Sequence, residues 1–320
     1  SFGDSTSLIA GARHQWFAEK YSGRYPGIYT TQQLFEQSNR ERSNFRIPLA
    51  KPIVLPLTKV PVYPYLYGFW IGNGSSTKPE VTVNRVDCGA FVTNMDIIGE
   101  EIMSMHEQAG ESNVYRLRSL RAVLVEHFSL KRLCTSYLRG SIEQRWDLLA
   151  GLTDSDGCIS TNKGESIYST SVEPLAGDVL ELLRSLGVKA TCNPVDSDRY
   201  GKPNARNYRI QFTALDDMPC SKLKRKLDRR WPRDPGSRGQ FHHIAVAEVD
   251  NRPMQCIEVD NPTHMYLAVD SFVPTHNTRI AFLGRVPAPL LGISEGLAGS
   301  SLNAGNFGMA RRIFADSWIY

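Results

Sequence analysis

Long apolar runs are missing from this 320-residue chain. Nothing in it approaches the roughly 18 residues that a bilayer-crossing helix needs. The first twenty residues also lack the basic, apolar, small-residue progression of an export signal. The chain therefore reads as a soluble cytoplasmic protein with no membrane partner. Cysteine is scarce too: Cys88, Cys134, Cys158, Cys192, Cys220 and Cys256 stand far apart. Without a C-x-x-C pair they build neither a zinc knuckle nor a disulfide framework. Charge of one sign is hardly in excess, with 37 Lys and Arg against 33 Asp and Glu, which permits a nucleic-acid partner without arguing for one. What is present, 41% hydrophobic and 22% charged residues over a length suited to two domains, excludes collagen, coiled coil and wholesale disorder.

Composition divides the chain into four segments. Residues 1–60 mix short apolar runs such as "IVLPL" with Gly and Pro, which predicts short strands and turns and no long helix. Residues 61–237 alternate helical stretches ("MDIIGEEIMSMHEQ", "PLAGDVLELLRSLG") with strand-like ones ("EVTVNR", "SIYSTSV", "NYRIQFTAL"), an α+β pattern. Strands return over 238–277 in "HHIAVAEV", "MQCIEVD" and "MYLAVD", as though the first segment resumes after an insertion. Residues 278–320 turn Gly- and Ala-rich.

Inside the second segment lies a repeat. Leu66–Gly74 reads "LYGFWIGNG" and Leu149–Gly157 reads "LAGLTDSDG". Small residues four apart, Gly68 with Gly72 and Gly151 with Ser155, allow two helix backbones to approach closely. The second copy resembles the signature of LAGLIDADG homing endonucleases. That resemblance implies two motif helices side by side, with the acid at the eighth position of each meeting Mg²⁺ at the scissile phosphates of a double-stranded DNA target. Asp156 is the acid of the second copy, and hard Mg²⁺ takes carboxylate oxygens. The first copy has Asn73 there, which supplies an amide oxygen but no charge, so a nickase and a DNA-binding relic both stay open. Polar alternate positions of "EVTVNRV", "CISTNKGESIYSTS" and "NARNYRIQFTA" suit a DNA groove. The basic run Lys222, Lys224, Arg225, Lys226, Arg229 and Arg230 suits either phosphate or a solvated helix face.

The stretch "FVPTHNT" sets His276, Asn277 and Thr278 in succession. An Asn can attack its own peptide carbonyl, with a neighbouring His polarising it, so this order permits self-cleavage. The longer stretch "CIEVDNPTHMYLAVDSFVPTHNT" resembles the C-terminal splicing region of inteins, and "SFGDSTSLIAGARHQW", with His14, resembles their N-terminal histidine block. Trp16, Cys256 and Thr275 together resemble the set of class 3 inteins. The resemblance implies a discontinuous all-β Hint splicing domain (1–60 and 238–277) carrying an inserted α+β two-motif LAGLIDADG domain (61–237). It further implies that Cys256 attacks the N-terminal junction, that Thr278 takes over the acyl group, and that Asn277 cyclises with help from His276 and His264. Trp16 and Thr275 would support Cys256, and no cofactor serves splicing. By the same resemblance the opening strands and N-terminal junction would come from a segment preceding Ser1. Residues 278–320 would be a C-extein that resembles part of a phage portal protein, or simply an amphipathic tail.

Overall fold

A computed structural model describes residues 1–41, 44–108, 110–122, 132–197, 205–232, 240–254, 257, 259–260 and 263–276. Cys256, Asn277, Thr278 and the whole of 278–320 lie outside the described residues. The chain divides into two compact units: the first holds Ser1–Pro48 and resumes at Phe241, and the second is Leu49–Gln240. The segment 49–60, read from sequence as part of the first unit, packs with the second.

The first unit is a sheet built around β1 (Gln15–Lys20). Beside it lie β2 (Gly27–Thr30), β3 (Phe45–Pro48), β11 (Phe241–His243), β12 (Met265–Ala268) and β13 (Val273–His276). The order β11-β3-β1-β13-β12, with β2 also on β1, makes β1 the strand through which the segments before and after the second unit meet. Glu19 pairs with Arg46 on one side and Gln15 with His276 on the other. Phe2, Trp16, Ala18, Leu34, Phe45, Ile47 and Val273 form its core. The unit is not all-β, because α1 spans Thr31–Glu41. Its start is a reciprocal cap: Gln33 N–H donates to the Thr30 hydroxyl at 3.1 Å while Thr30 N–H donates to the Gln33 side chain at 2.8 Å. Leu34 then anchors the helix in the core.

The second unit is two helix-and-sheet halves. In the first, α2 (Pro64–Asn73) is followed by a sheet ordered β4 (Glu80–Asn84), β6 (Ser112–Leu117), β5 (Ile102–Glu107), with α3 (Cys88–Ile97) behind. The segment "MDIIGEEIMSMHEQ", expected to be one helix, breaks after Ile97. Gly99 takes φ +70° and closes the helix end, after which Ile102–Glu107 is strand. After the short α4 (Thr135–Leu138), the second half repeats the scheme. It runs through α5 (Ile142–Ser155), β7 (Gly157–Ile159), β8 (Glu165–Thr170), α6 (Glu173–Ser185), β9 (Ala190–Ser197) and β10 (Ala205–Thr213), its sheet ordered β7-β8-β10-β9.

The first motif helix is apolar all round, with Pro64 through Ile71 buried, as expected of an element enclosed by protein. Its partner α5 opens with a capping box from Ser141 and Gln144. The two lie backbone to backbone. A Cβ on Gly151 would collide with the Tyr65 carbonyl, and one on Gly68 with the Leu148 carbonyl. Buried Arg145 then ties the unit's entry segment down: its guanidinium donates to the carbonyls of Ile53, Gly140 and Ser185.

Gly151→Ala should destabilise the second unit by at least about 3 kcal/mol, because neither carbonyl nor helix axis can yield. Gly177→Ala, in open space on the exposed face of α6, should instead add about 0.5–1 kcal/mol. Urea unfolding of both variants checks the contrast.

Candidate functional site

Close packing leaves no room for functional side chains between α2 and α5, so polar chemistry is displaced to their C-terminal ends. Asn73 is the last residue of α2, and Asp156 caps α5. Asp156 is exposed, and its carboxylate reaches across the helix pair, 3.0 Å from where a Gly72 Cβ would sit. Burial, with the Asp156 charge close by, pushes the Tyr168 phenol up. A polar cavity of about 300 Å³ opens beside Asn73, between Ser155 and Gly157 on one side and Asn84 and Asp87 on the other.

Two charged residues behind this cavity do structural work that the sequence reading missed. Asp154, at the sixth position of the motif, is buried and accepts from the Tyr65 hydroxyl (3.1 Å), the Ser221 hydroxyl (2.5 Å) and the Lys222 N–H (2.8 Å). Burial pushes its carboxyl up against these donors. Lys226, expected at phosphate, is itself buried. Its ammonium donates to the carbonyls of Thr153 (2.5 Å), Asp154 (3.2 Å) and Gly157 (2.9 Å), neutralising the negative end of α5. Burial lowers its pKa, with Asp154 opposing.

The rest of the basic run is engaged in the same way. Lys222 pairs with Asp147 at 2.5 Å, Lys224 with Asp228 at 2.8 Å, and Arg225 with Asp87 at 2.6 Å. Arg229 donates to the Ile159 carbonyl and Arg230 to that of Met218. Lys222, Arg225, Lys226 and Arg229 brace segments far apart in sequence, whereas Lys224 is exposed and pairs one turn along its own segment.

Each sheet turns one face to its helices and leaves the other largely polar, with Val114 and Ile167 as apolar members of the open faces. On the second sheet Tyr168, Ile210 and Phe212 point to the core. The alternate positions Ser169, Arg209, Gln211 and Asn193 lie on the open face, in register across three strands. Gln211 donates to Glu165 at 3.1 Å and Asn193 donates to Gln211 at 3.2 Å, a rung of side-chain amides across the sheet. On the first sheet Thr82, Asn84, Ser104, His106 and Ser112 occupy the equivalent positions.

In the first unit, five of the sequence candidates meet although they are separated by most of the chain. His14 Nε2 lies 2.5 Å from the Thr275 hydroxyl, and its ring meets that of Trp16 edge-on at 4.8 Å. Trp16 in turn donates through Nε1 to Thr31 at 3.0 Å. His276 and His264 rings are 5.9 Å apart. His264 takes φ +54°, uncommon for a non-glycine residue, and its buried Nδ1 finds no hydrogen-bond partner among the described residues. Burial first, and the His276 charge second, lower the His14 pKa to about 4.

Comparison with known proteins bears on the second unit. Residues 143–213, from the start of α5 to the end of β10, match the family described as LAGLIDADG-like domain. A curated relative, "Replicative DNA helicase DnaB" of Mycobacterium intracellulare, is 29% identical over 305 residues. That alignment covers 87% of this chain, and the chain spans 50% of the relative's length. Among solved structures, mesophilic variants of the homing endonuclease I-DmoI are 17% identical with a TM-score of 0.34, covering 48% of this chain and 88% of theirs. I-DmoI in complex with DNA and Mn is 16% identical with a TM-score of 0.35, covering 48% of this chain and 89% of its own.

The depressed His14 basicity has a signed consequence. The folded unit holds His14 neutral down to about pH 4, whereas the unfolded chain binds that proton from 6.5 downward. Its contribution to stability is therefore complete above pH 6.5 and is lost progressively as the pH falls through that window, by up to about 3 kcal/mol. Histidine-selective NMR should give His14 a midpoint near pH 4, and His14→Gln should flatten the acid limb of the thermal unfolding curve between those values.

Proposed function

We propose that residues 49–240 act on double-stranded DNA as a homing endonuclease of the LAGLIDADG type with one of its two acidic helix ends neutralised, and that the first unit is an intein splicing domain around it. The observation that carries the DNA reading is the backbone contact of α2 with α5, which sets Asn73 and Asp156 at neighbouring helix ends. The match over 143–213 supports it. Open polar faces on both sheets supply the groups for the grooves: Gln211 and Asn193 suit adenine edges, and Arg209 suits guanine or phosphate.

Asp156 and Asn73 are the residues that would hold Mg²⁺. They bring one carboxylate and one amide oxygen. Among the described residues no group of three His, Cys, Asp or Glu side chains is placed to hold a metal, so phosphate oxygens and water would complete the shell. When bound there, the ion stabilises charge on the attacked phosphate. The chain's own part is to present Asp156 from a helix end fixed by Lys226, and to hold the duplex on two sheets. One charge rather than two suits cutting one strand.

The splicing reading rests on a separate observation, the 2.5 Å contact between His14 and Thr275, which lie 261 residues apart. On this reading neutral His14 acts at the N-terminal junction, where the Cys256 thiolate attacks the carbonyl carbon and expels the amine as a branched thioester forms. The Thr278 hydroxyl next receives the acyl group. The Asn277 side-chain nitrogen then attacks its own carbonyl, breaking the bond to Thr278 and leaving a succinimide, with His276 and His264 beside that carbonyl. An acyl shift from oxygen to nitrogen joins the flanking chains. The name of the relative makes a replicative helicase the first host gene to test, and the portal-like reading of 278–320 is the alternative.

A supercoiled plasmid carrying the uninterrupted helicase gene should be converted to open circles by the full chain and Mg²⁺. Asp156→Asn should abolish nicking, and Asn73→Asp should yield linear product. Plasmid that stays supercoiled with all three proteins would reduce the second unit to a binding module. For the first unit, intact-mass measurement should detect release of residues 278–320 on incubation, at least tenfold slower in Asn277→Ala. Equal release from both proteins excludes cyclisation.

A further inference from the structure

A hollow of about 470 Å³ lies where the open face of the second sheet ends. Val188, Leu215 and Met218 form its apolar floor, and the Trp231 ring stands at its side with 40% of the residue exposed. The backbone that carries the ring is fixed on both sides. Trp231 N–H donates to the Ala214 carbonyl at 2.8 Å, and its own carbonyl accepts from Asp216 N–H at 2.9 Å. Lys163 and Lys189 line the rim. Lys163 takes φ +52° in the turn between β7 and β8, followed by Gly164 at φ +61°, where a Cβ would meet the Trp231 nitrogen at 2.8 Å. The same Cβ would meet the Ala214 carbonyl at 2.5 Å, so the turn that carries Lys163 lies against the backbone behind Trp231.

An indole face, an aliphatic floor and two ammonium groups match a planar ring that carries a phosphate. We propose that this hollow takes one unstacked nucleotide of the DNA lying on the second sheet, its base against Trp231 and its phosphate between Lys163 and Lys189. The inference rests on the DNA reading of this unit, and it adds a site outside the helix ends and the polar sheet faces. The rung Asn193–Gln211–Glu165 leads into the hollow, since Gln211 and Glu165 also line it. The Glu165 carboxylate offers an acceptor to an exocyclic amine, which favours adenine or cytosine as the displaced base. Expelling a base from a perfect duplex costs stacking and pairing energy, and a base already extrahelical avoids that cost.

The test uses the full chain and two fluorescein-labelled 30-mer duplexes, identical except that one carries a central single-adenine bulge, titrated at low salt by anisotropy. The bulged duplex should bind about tenfold more tightly. Trp231→Ala should remove that preference while leaving the perfect duplex within about twofold, Trp231→Phe should keep most of it, and Lys163→Gln, which disturbs no core packing, should reduce it. Equal affinity for the two duplexes, or a preference unchanged in Trp231→Ala and Lys163→Gln, overturns the nucleotide site while the DNA reading stands. If neither duplex binds, both the nucleotide site and the DNA reading are overturned.

Discussion

The carbonyl-to-glycine contact between α2 and α5 is the constraint on which the second unit turns. Gly68 faces the Leu148 carbonyl and Gly151 the Tyr65 carbonyl, so the two helix axes are as near as peptide groups allow. At that separation dispersion acts between backbones rather than between flexible side chains, and no rotamer entropy is lost in making it. The same closeness forbids any functional group along the seam. Chemistry is possible only past the last turn, where Asn73 and Asp156 emerge, and α5 hands its chain almost directly to β7, the first strand of its own sheet.

The two halves satisfy that constraint by different means. At the sixth motif position the first half carries Ile71, buried in an apolar helix, whereas the second carries Asp154, buried under three donors. A buried carboxylate is costly unless fully hydrogen-bonded, and here Ser221, Lys222 and Tyr65 supply the bonds while Lys226 supplies nearby positive charge. This network draws the 221–230 segment onto α5 and so spends the basic run on the protein itself. The half with Asp156 is therefore organised by charge and the half with Asn73 by packing.

The repeat was legible because a backbone contact demands small residues at fixed spacing, a pattern that survives divergence of everything around it. β4, β7, β8 and β10 were legible from alternation, whereas β5 was read as the end of a helix. What escaped has a common physical origin in partners remote along the chain. Lys226 and Arg225 read as a surface run because nothing nearby in sequence announces Thr153 or Asp87, the latter 138 residues away. The helix Thr31–Glu41 and the break at Gly99 belong to another kind, since a T-x-x-Q start and a glycine stop were both on view and were outweighed by the neighbouring composition. The gathering of His14, Trp16, Thr275 and His276 was expected only through family resemblance. Its geometry depends on β1 pairing with β13, which no local signal dictates.

That pairing bears on how a second unit can sit inside the first at all. The chain leaves the first unit at Pro48 and returns at Phe241, and these two residues are cross-strand partners in the β3–β11 ladder. For the sheet, residues 49–240 occupy the place of a hairpin loop. The entropic cost of a longer loop rises only with the logarithm of its length, and a compact insert whose own ends are held together reduces it further. Leu49 N–H donates to the Gln240 carbonyl at 3.0 Å, so the second unit closes its own ends immediately beside that junction. Each unit thus presents adjoining termini, the condition under which a self-folding insert leaves its host's ladder undisturbed.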